Sequence, residues 1–205
     1  EIPVPGAVSA IRNRPPLVAE KAPDFVQKIT AVMMAGKGDL LPVSAFPVDG
    51  TWAVATGKWE KRAIALEIPV WDTAICIQCN MCALVCPHAA IRAKVYDPAA
   101  LGNAPATFLS TPYKGLDFKN KAYTIQVAPE DCTGCNLCVN VCPAKDRTNP
   151  RHKAIDMHPL PPLREAEREN YDFFLDLPET ERSEVTRLDH KGSQFLEPLF
   201  EYSGA

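Results

Sequence analysis

The sequence predicts an α+β fold in which short strands and helices surround two cysteine-rich loops, with long proline-rich extended arms on either side. Three observations lead to it. All eight cysteines fall in two runs, Cys76-Ile-Gln-Cys79-Asn-Met-Cys82-Ala-Leu-Val-Cys86-Pro87 and Cys132-Thr-Gly-Cys135-Asn-Leu-Cys138-Val-Asn-Val-Cys142-Pro143. Beside each run the pattern alternates: Ile91, Ala93 and Val95 with Arg92 and Lys94, then Tyr123, Ile125 and Val127 with Thr124 and Gln126, the period of a strand. Twenty prolines stand against ten glycines, which favours extended connections over long helices.

In chain order, residues 1 to about 21 read as an extended arm, with Pro3, Pro5, Pro15 and Pro16 opposing helix. A helix is expected over about 23–35. Phe25, Ile29, Val32 and Met33 share a face, Pro23 sits near its start and Gly36 stops it. Met33 and Met34 are expected in the core. Residues 37–70 are turns and short extended pieces, and Trp52, Trp59 and Trp71 either shield the cysteine region from water or fill gaps in a small core. The cysteine domain is placed at 71–160, with a turn-rich insertion at 97–122. From Leu163 to Leu177 a helix is expected, its Arg164, Glu165, Glu167, Arg168 and Glu169 forming a solvated face and Pro178 bounding it. Residues 161–205 thus form a helix and a tail, whose Phe195, Leu196, Leu199 and Phe200 suit docking.

The cysteine spacing is C-x2-C-x2-C-x3-C-P, the spacing by which bacterial ferredoxins hold [4Fe-4S] clusters. Two-residue gaps aim three successive sulfurs at three corners of one cube. In two-cluster proteins the fourth cysteine of each run ligates the other cluster. Cys76, Cys79, Cys82 and Cys142 are therefore assigned to cluster 1, and Cys132, Cys135, Cys138 and Cys86 to cluster 2. Cys82 and Cys86 are one helical turn apart and serve different cubes, so the cubes should lie on the order of 10 Å apart. Pro87 and Pro143 push the preceding cysteine into extended backbone, and Asn80 and Asn136 stand where left-handed backbone helps. Gln78 has Gly134 as its counterpart, so the loops differ in detail. The 56-residue offset between the runs suggests a duplicated half. Zinc accounts poorly for the third cysteine and for the one before proline, and disulfides for the spacing. His88 and Lys145 could each donate toward a cluster, but both read more simply as surface residues. His152, His158 and His190 show no metal or triad spacing.

A net charge of −3 gives no electrostatic case for nucleic acid or an anionic membrane. The longest apolar run, Ala31 to Ala35, is too short to span a bilayer. No basic and apolar leader is visible at Glu1-Ile-Pro-Val-Pro-Gly6. The expected setting is a reducing cytoplasm, where thiols stay available for metal.

Outside the cysteine runs, Leu41-Pro-Val-Ser-Ala-Phe-Pro-Val-Asp-Gly-Thr51, Glu60-Lys-Arg-Ala-Ile-Ala-Leu-Glu-Ile-Pro-Val-Trp71, Cys86-Pro-His-Ala-Ala-Ile-Arg-Ala-Lys-Val-Tyr96 and Pro162-Leu-Arg-Glu-Ala-Glu-Arg-Glu-Asn170 resemble the pyruvate:ferredoxin (flavodoxin) oxidoreductases. The resemblance covers almost the whole chain. It implies a ferredoxin-like domain with two [4Fe-4S] clusters in an enzyme that decarboxylates pyruvate on thiamine diphosphate with magnesium. Electrons there pass through a third, proximal cluster and on to ferredoxin or flavodoxin, in a homodimer of the full enzyme. In that family, thiamine-binding sequence and a further Cys-x-x-Cys follow a stretch like Phe200-Glu-Tyr-Ser-Gly-Ala205. These 205 residues contain neither a Gly-Asp-Gly motif nor further cysteines. The chain is thus expected to relay electrons without catalysing the decarboxylation itself, in contact with the remaining domains. The alternative is a free-standing ferredoxin-type carrier or an iron-sulfur subunit of another redox enzyme.

Overall fold

The structure is a computed structural model and describes residues 16–54, 56–187 and 189–196. Pro3, Pro5 and Pro15 of the arm, and Leu199 and Phe200 of the tail, lie outside the described residues. The chain divides into two units between Glu60 and Lys61. The expected boundary near 70 falls inside the second unit, because strand β1 (Glu67–Trp71) pairs antiparallel with β5 (Ile155–Pro159) and draws its own approach with it.

In the first unit the expected helix is present, but its first turns, Val26–Thr30, are wound as a π-helix before α1 (Ala31–Met34). The wider winding changes which residues face inward. Val26 and Ile29 are buried, and Val26 packs with Val18 and Ala22 against Met34 and Trp59. Met33 is exposed, so it is not the core residue expected of it, whereas Met34 is partly buried. Gly36 ends the helix at φ +70, a conformation glycine adopts without steric cost. Trp52 is exposed and lies edge-on to Phe25 at 4.8 Å, whereas Trp59 is partly buried against Val18, Ala22 and Val26.

The second unit holds a two-stranded sheet, β1–β5, and a three-stranded antiparallel sheet in the order β2 (Ile91–Tyr96), β4 (Ala122–Val127), β3 (Thr111–Pro112). Both expected strands are present, with Ile91 opposite Val127 and Val95 opposite Tyr123. Their alternation does not mark a wet face, because every residue of β2 and β4 is buried. The apolar set, Ile91, Ala93, Val95, Tyr123, Ile125 and Val127, joins the main core. The polar set is covered by the insertion and by α4 (Leu160–Asp176). Lys94 Nζ donates to the carbonyls of Phe174 and Leu177, at 3.0 and 2.6 Å, satisfying the end of α4, and lies over the Phe174 ring. Thr124 Oγ1 donates to the Leu109 carbonyl at 2.6 Å, and Thr107 Oγ1 to Asn170 Oδ1 at 2.9 Å.

Helix α4 begins three residues before the expected Leu163, since Pro161 and Pro162 fit a first turn whose N–H groups need no partner. Its charged face is not wholly solvated: Arg164 pairs with Glu130 at 2.5 Å, just before the second cysteine run. Two one-turn helices, α2 (Met81–Val85) and α3 (Leu137–Val141), pack on each other and carry the two loops. In the described part of the tail, α5 (His190–Ser193) is capped by Asp189, and Phe195 enters the core beside Tyr113 and Phe118.

Candidate functional site

The two cysteine runs fold alike. In each, the backbone turns left-handed twice, at Gln78 (φ 58°) and Asn80 (φ 60°) and at Gly134 (φ 71°) and Asn136 (φ 64°), before entering a one-turn helix. The first turn points a main-chain N–H back at a sulfur: Gln78 N to Cys76 Sγ at 3.3 Å, and Gly134 N to Cys132 Sγ at 3.4 Å. Pro87 and Pro143 hold Cys86 and Cys142 extended, with ψ 112° and 117°, so the fourth sulfur of each run leaves its own loop.

These turns gather the cysteines into two sets. Cys76, Cys79, Cys82 and Cys142 line one small cavity, walled by Ile125, Ala154 and Ile155. Cys132, Cys135, Cys138 and Cys86 line a second, walled by Pro69, Ile91 and Met157. All eight cysteines are free. Among the described residues no three His, Cys, Asp or Glu side chains are placed to hold a single metal ion. A cube instead takes one thiolate at each of four separated corners, and four cysteines about an apolar hollow suit it.

Burial raises the thiols of Cys76, Cys82, Cys132 and Cys138, the last to about 12, with neighbouring cysteines adding to the rise. Thiolates in such a place need a compensating cation, and iron supplies it. Cys135 is exposed whereas Cys76, Cys82 and Cys142 are buried.

Several residues around the cysteines carry no motif. Gln78 is buried and donates from Nε2 to Thr111 Oγ1 (3.1 Å) and the Pro112 carbonyl (2.9 Å), while its Oε1 accepts from Lys114 N (2.7 Å). Lys114 Nζ donates to the Cys76 carbonyl at 2.6 Å. Asn80 Oδ1 accepts from Tyr123 Oη at 2.7 Å, and its Nδ2 donates to the Lys191 carbonyl at 3.0 Å, tying α5 to the loop. Trp71 is buried edge-on to Tyr123. In sequence, Gln78 is marked by standing where the other run has glycine, and Asn80 by a position that favours left-handed backbone. His88 is half-buried and lines the second cavity, while Lys145 is exposed. His152, which shows no pattern in sequence, pairs with Asp72 at 2.9 Å across 80 residues.

Two family models match the chain: a 4Fe-4S dicluster domain over residues 75–145, and a domain of unknown function designated EKR over residues 12–65. The chain is 57% identical, over its whole length, to the probable pyruvate-flavodoxin oxidoreductase of Escherichia coli strain K12, covering 18% of that protein. It is 55% identical over 95% of its length to the pyruvate-flavodoxin oxidoreductase of Nostoc, covering 16%, and 44% identical over its whole length to the pyruvate:ferredoxin oxidoreductase of Moorella thermoacetica, covering 17%. The chain matches a segment of the pyruvate-flavodoxin oxidoreductases. It spans less than a fifth of the length of these relatives. Its part of the pyruvate-flavodoxin oxidoreductase sequence contains the dicluster domain, and two [4Fe-4S] clusters are its cofactors. No helix among the described residues is long and apolar enough to cross a membrane.

Proposed function

We propose that this chain is the electron relay of a pyruvate-oxidising 2-oxoacid oxidoreductase. Cys76, Cys79, Cys82 and Cys142 hold one [4Fe-4S] cluster, and Cys132, Cys135, Cys138 and Cys86 hold the other. The observation that carries the ligation is that each cavity takes three cysteines from one run and the last cysteine of the other. The clusters supply one-electron steps; the chain keeps them close together, excludes water with apolar walls and directs N–H groups at the sulfurs. Thiamine diphosphate, its magnesium and a proximal third cluster belong to other parts of such an enzyme, which deliver the electrons. Ferredoxin or flavodoxin takes them away, the relatives being named for one or the other. The remaining domains cover exposed apolar residues such as Leu40, Val43 and Val48. A homodimer of the full enzyme and a cytoplasmic setting complete the reading, the latter supported by eight free thiols.

The deciding experiment is Cys142→Ala in the full protein, followed by iron analysis and EPR. It should perturb the cluster of Cys76, Cys79 and Cys82, and Cys86→Ala the cluster of Cys132, Cys135 and Cys138. Selective loss of the Cys132 cluster in Cys142→Ala would refute the crossed ligation. A native protein without about eight irons and eight sulfides per chain would refute the clusters themselves.

A further inference from the structure

Among the described residues, three buried side-chain polar atoms have no hydrogen-bond partner: Thr30 Oγ1, Trp71 Nε1 and His88 Nδ1. Thr30 belongs to the first unit. The other two are in the second, one beside each set of cysteines. Trp71, 5% exposed, sits in the core that contains Cys76 and Cys82. Trp71 stands opposite Ile155, which walls the cavity of the Cys76 set, and lies edge-on to Tyr123, whose hydroxyl donates to Asn80 of the first loop. His88 lines the second cavity with Cys86, Cys132, Cys135 and Cys138.

An indole N–H can only donate, and a buried donor without an acceptor is costly. A trapped water is a poor remedy, because it needs two to four polar partners and the second cavity is walled mainly by Pro69, Ala90, Ile91, Leu137 and Met157. The sulfurs of an iron-sulfur cluster and its thiolates are acceptors, and a bond to them favours the more negative, reduced form. The two orphans thus have acceptors in the groups the cavities fit.

We propose that the two clusters receive different side-chain donors, Trp71 Nε1–H at the set led by Cys76 and His88 Nδ1–H at the set led by Cys132, and that these bonds raise the two potentials independently. The proposal rests on the ligation given above. With the donors separate, one potential can change without the other, which lets a relay be graded along its length.

The experiment is an EPR-monitored redox titration of the full protein and its variants. Trp71→Phe should lower the potential of the Cys76 cluster and leave the other in place. His88→Leu should lower only the Cys132 cluster, and His88→Asn, which retains a side-chain N–H near the Nδ1 position, should bring it back toward the native value. Unmoved potentials in variants that keep both clusters, or a shift at the opposite cluster, overturn the proposal. If a variant loses a cluster, the native protein decides. With ¹⁵N in tryptophan or in histidine, pulsed EPR of the reduced protein should show a nitrogen coupling on the matching cluster, and its absence overturns the donor. A native protein lacking about eight irons per chain defeats the cluster reading, a result distinct from intact clusters with unmoved potentials.

Discussion

The two cysteine loops share spacing and backbone path but are supported differently. The first is fixed from its side chains outward: Gln78 reaches Thr111, Pro112 and Lys114, and Asn80 joins Tyr123 to Lys191. The second is fixed by close approach of backbone. A Cβ on Gly134 would lie 3.3 Å from the Glu67 carbonyl oxygen, and Asn136, the equivalent of Asn80, is exposed. Around it, Ala63 N donates to the Glu130 carbonyl, and Lys61 pairs with Asp131 at 2.5 Å. A duplicated motif therefore fixes the cysteine positions, while the insertion and the segment before β1 decide how each copy is held.

The widest separation between the loops should come from the paired asparagines. Asn80→Ala forfeits a left-handed preference and leaves the buried Tyr123 hydroxyl without its acceptor, for about 3 kcal/mol in all. Asn136→Ala loses only the backbone preference, about 1 kcal/mol. Denaturant unfolding of both variants measures the difference, and equal losses would mean that the Asn80 network contributes nothing. Next comes Gly134→Ala, expected to cost about 1–2 kcal/mol from its positive φ alone, with the tight contact to Glu67 adding to it. Gln78→Gly is smaller, about 1 kcal/mol, because lost hydrogen bonds are partly offset by relief of left-handed strain. Release of iron on mild chelation should follow the same order, from the first loop in Asn80→Ala and Gln78→Gly and from the second in Gly134→Ala.

The contrast also marks what the sequence could reveal. The gathering of the cysteines, the strand positions and the left-handed asparagines were legible because each follows from local spacing: thiols every third residue, apolar residues every second, proline after the last cysteine. The partners of Gln78 and Asn80, and the pairing of His152 with Asp72, were not, since they lie 33 to 111 residues away and no local pattern selects them. Alternation alone cannot show whether the polar face that carries Arg92 and Lys94 is wet or covered by a second layer. Here that layer is the insertion and α4, whose unsatisfied carbonyls give Lys94 a reason to be buried. The inward face of the first helix was misjudged at Met33 because a π-helical segment shifts the angle between successive residues.

The smallest effect concerns how the chain approaches each loop, and it separates the two by pH. Ahead of the first, Asp72 accepts from Ala74 N at 2.8 Å and pairs with His152, whose other ring nitrogen lies 3.6 Å from Asp156. Ahead of the second, Lys61–Asp131 and Arg164–Glu130 act without an imidazole. The hydrogen bond to Asp72 raises His152 above 6.5, and His152 in turn holds Asp72 below 3.8. A raised histidine contributes its stability in full below about 6.5 and loses it as pH climbs through the folded value; a lowered aspartate contributes above about 3.9 and loses it as pH falls through its own folded value. The clasp should therefore be complete between about pH 4 and 6.5 and fade as pH rises through the raised folded value of His152. Because about a third of each side chain is in water, solvent screens the pair and the effect should be slight. The melting temperature of His152→Gln should fall below that of the native protein at pH 5–6 and converge with it by about pH 9. A constant gap for His152→Gln would remove the charge from this account and leave only a neutral hydrogen bond.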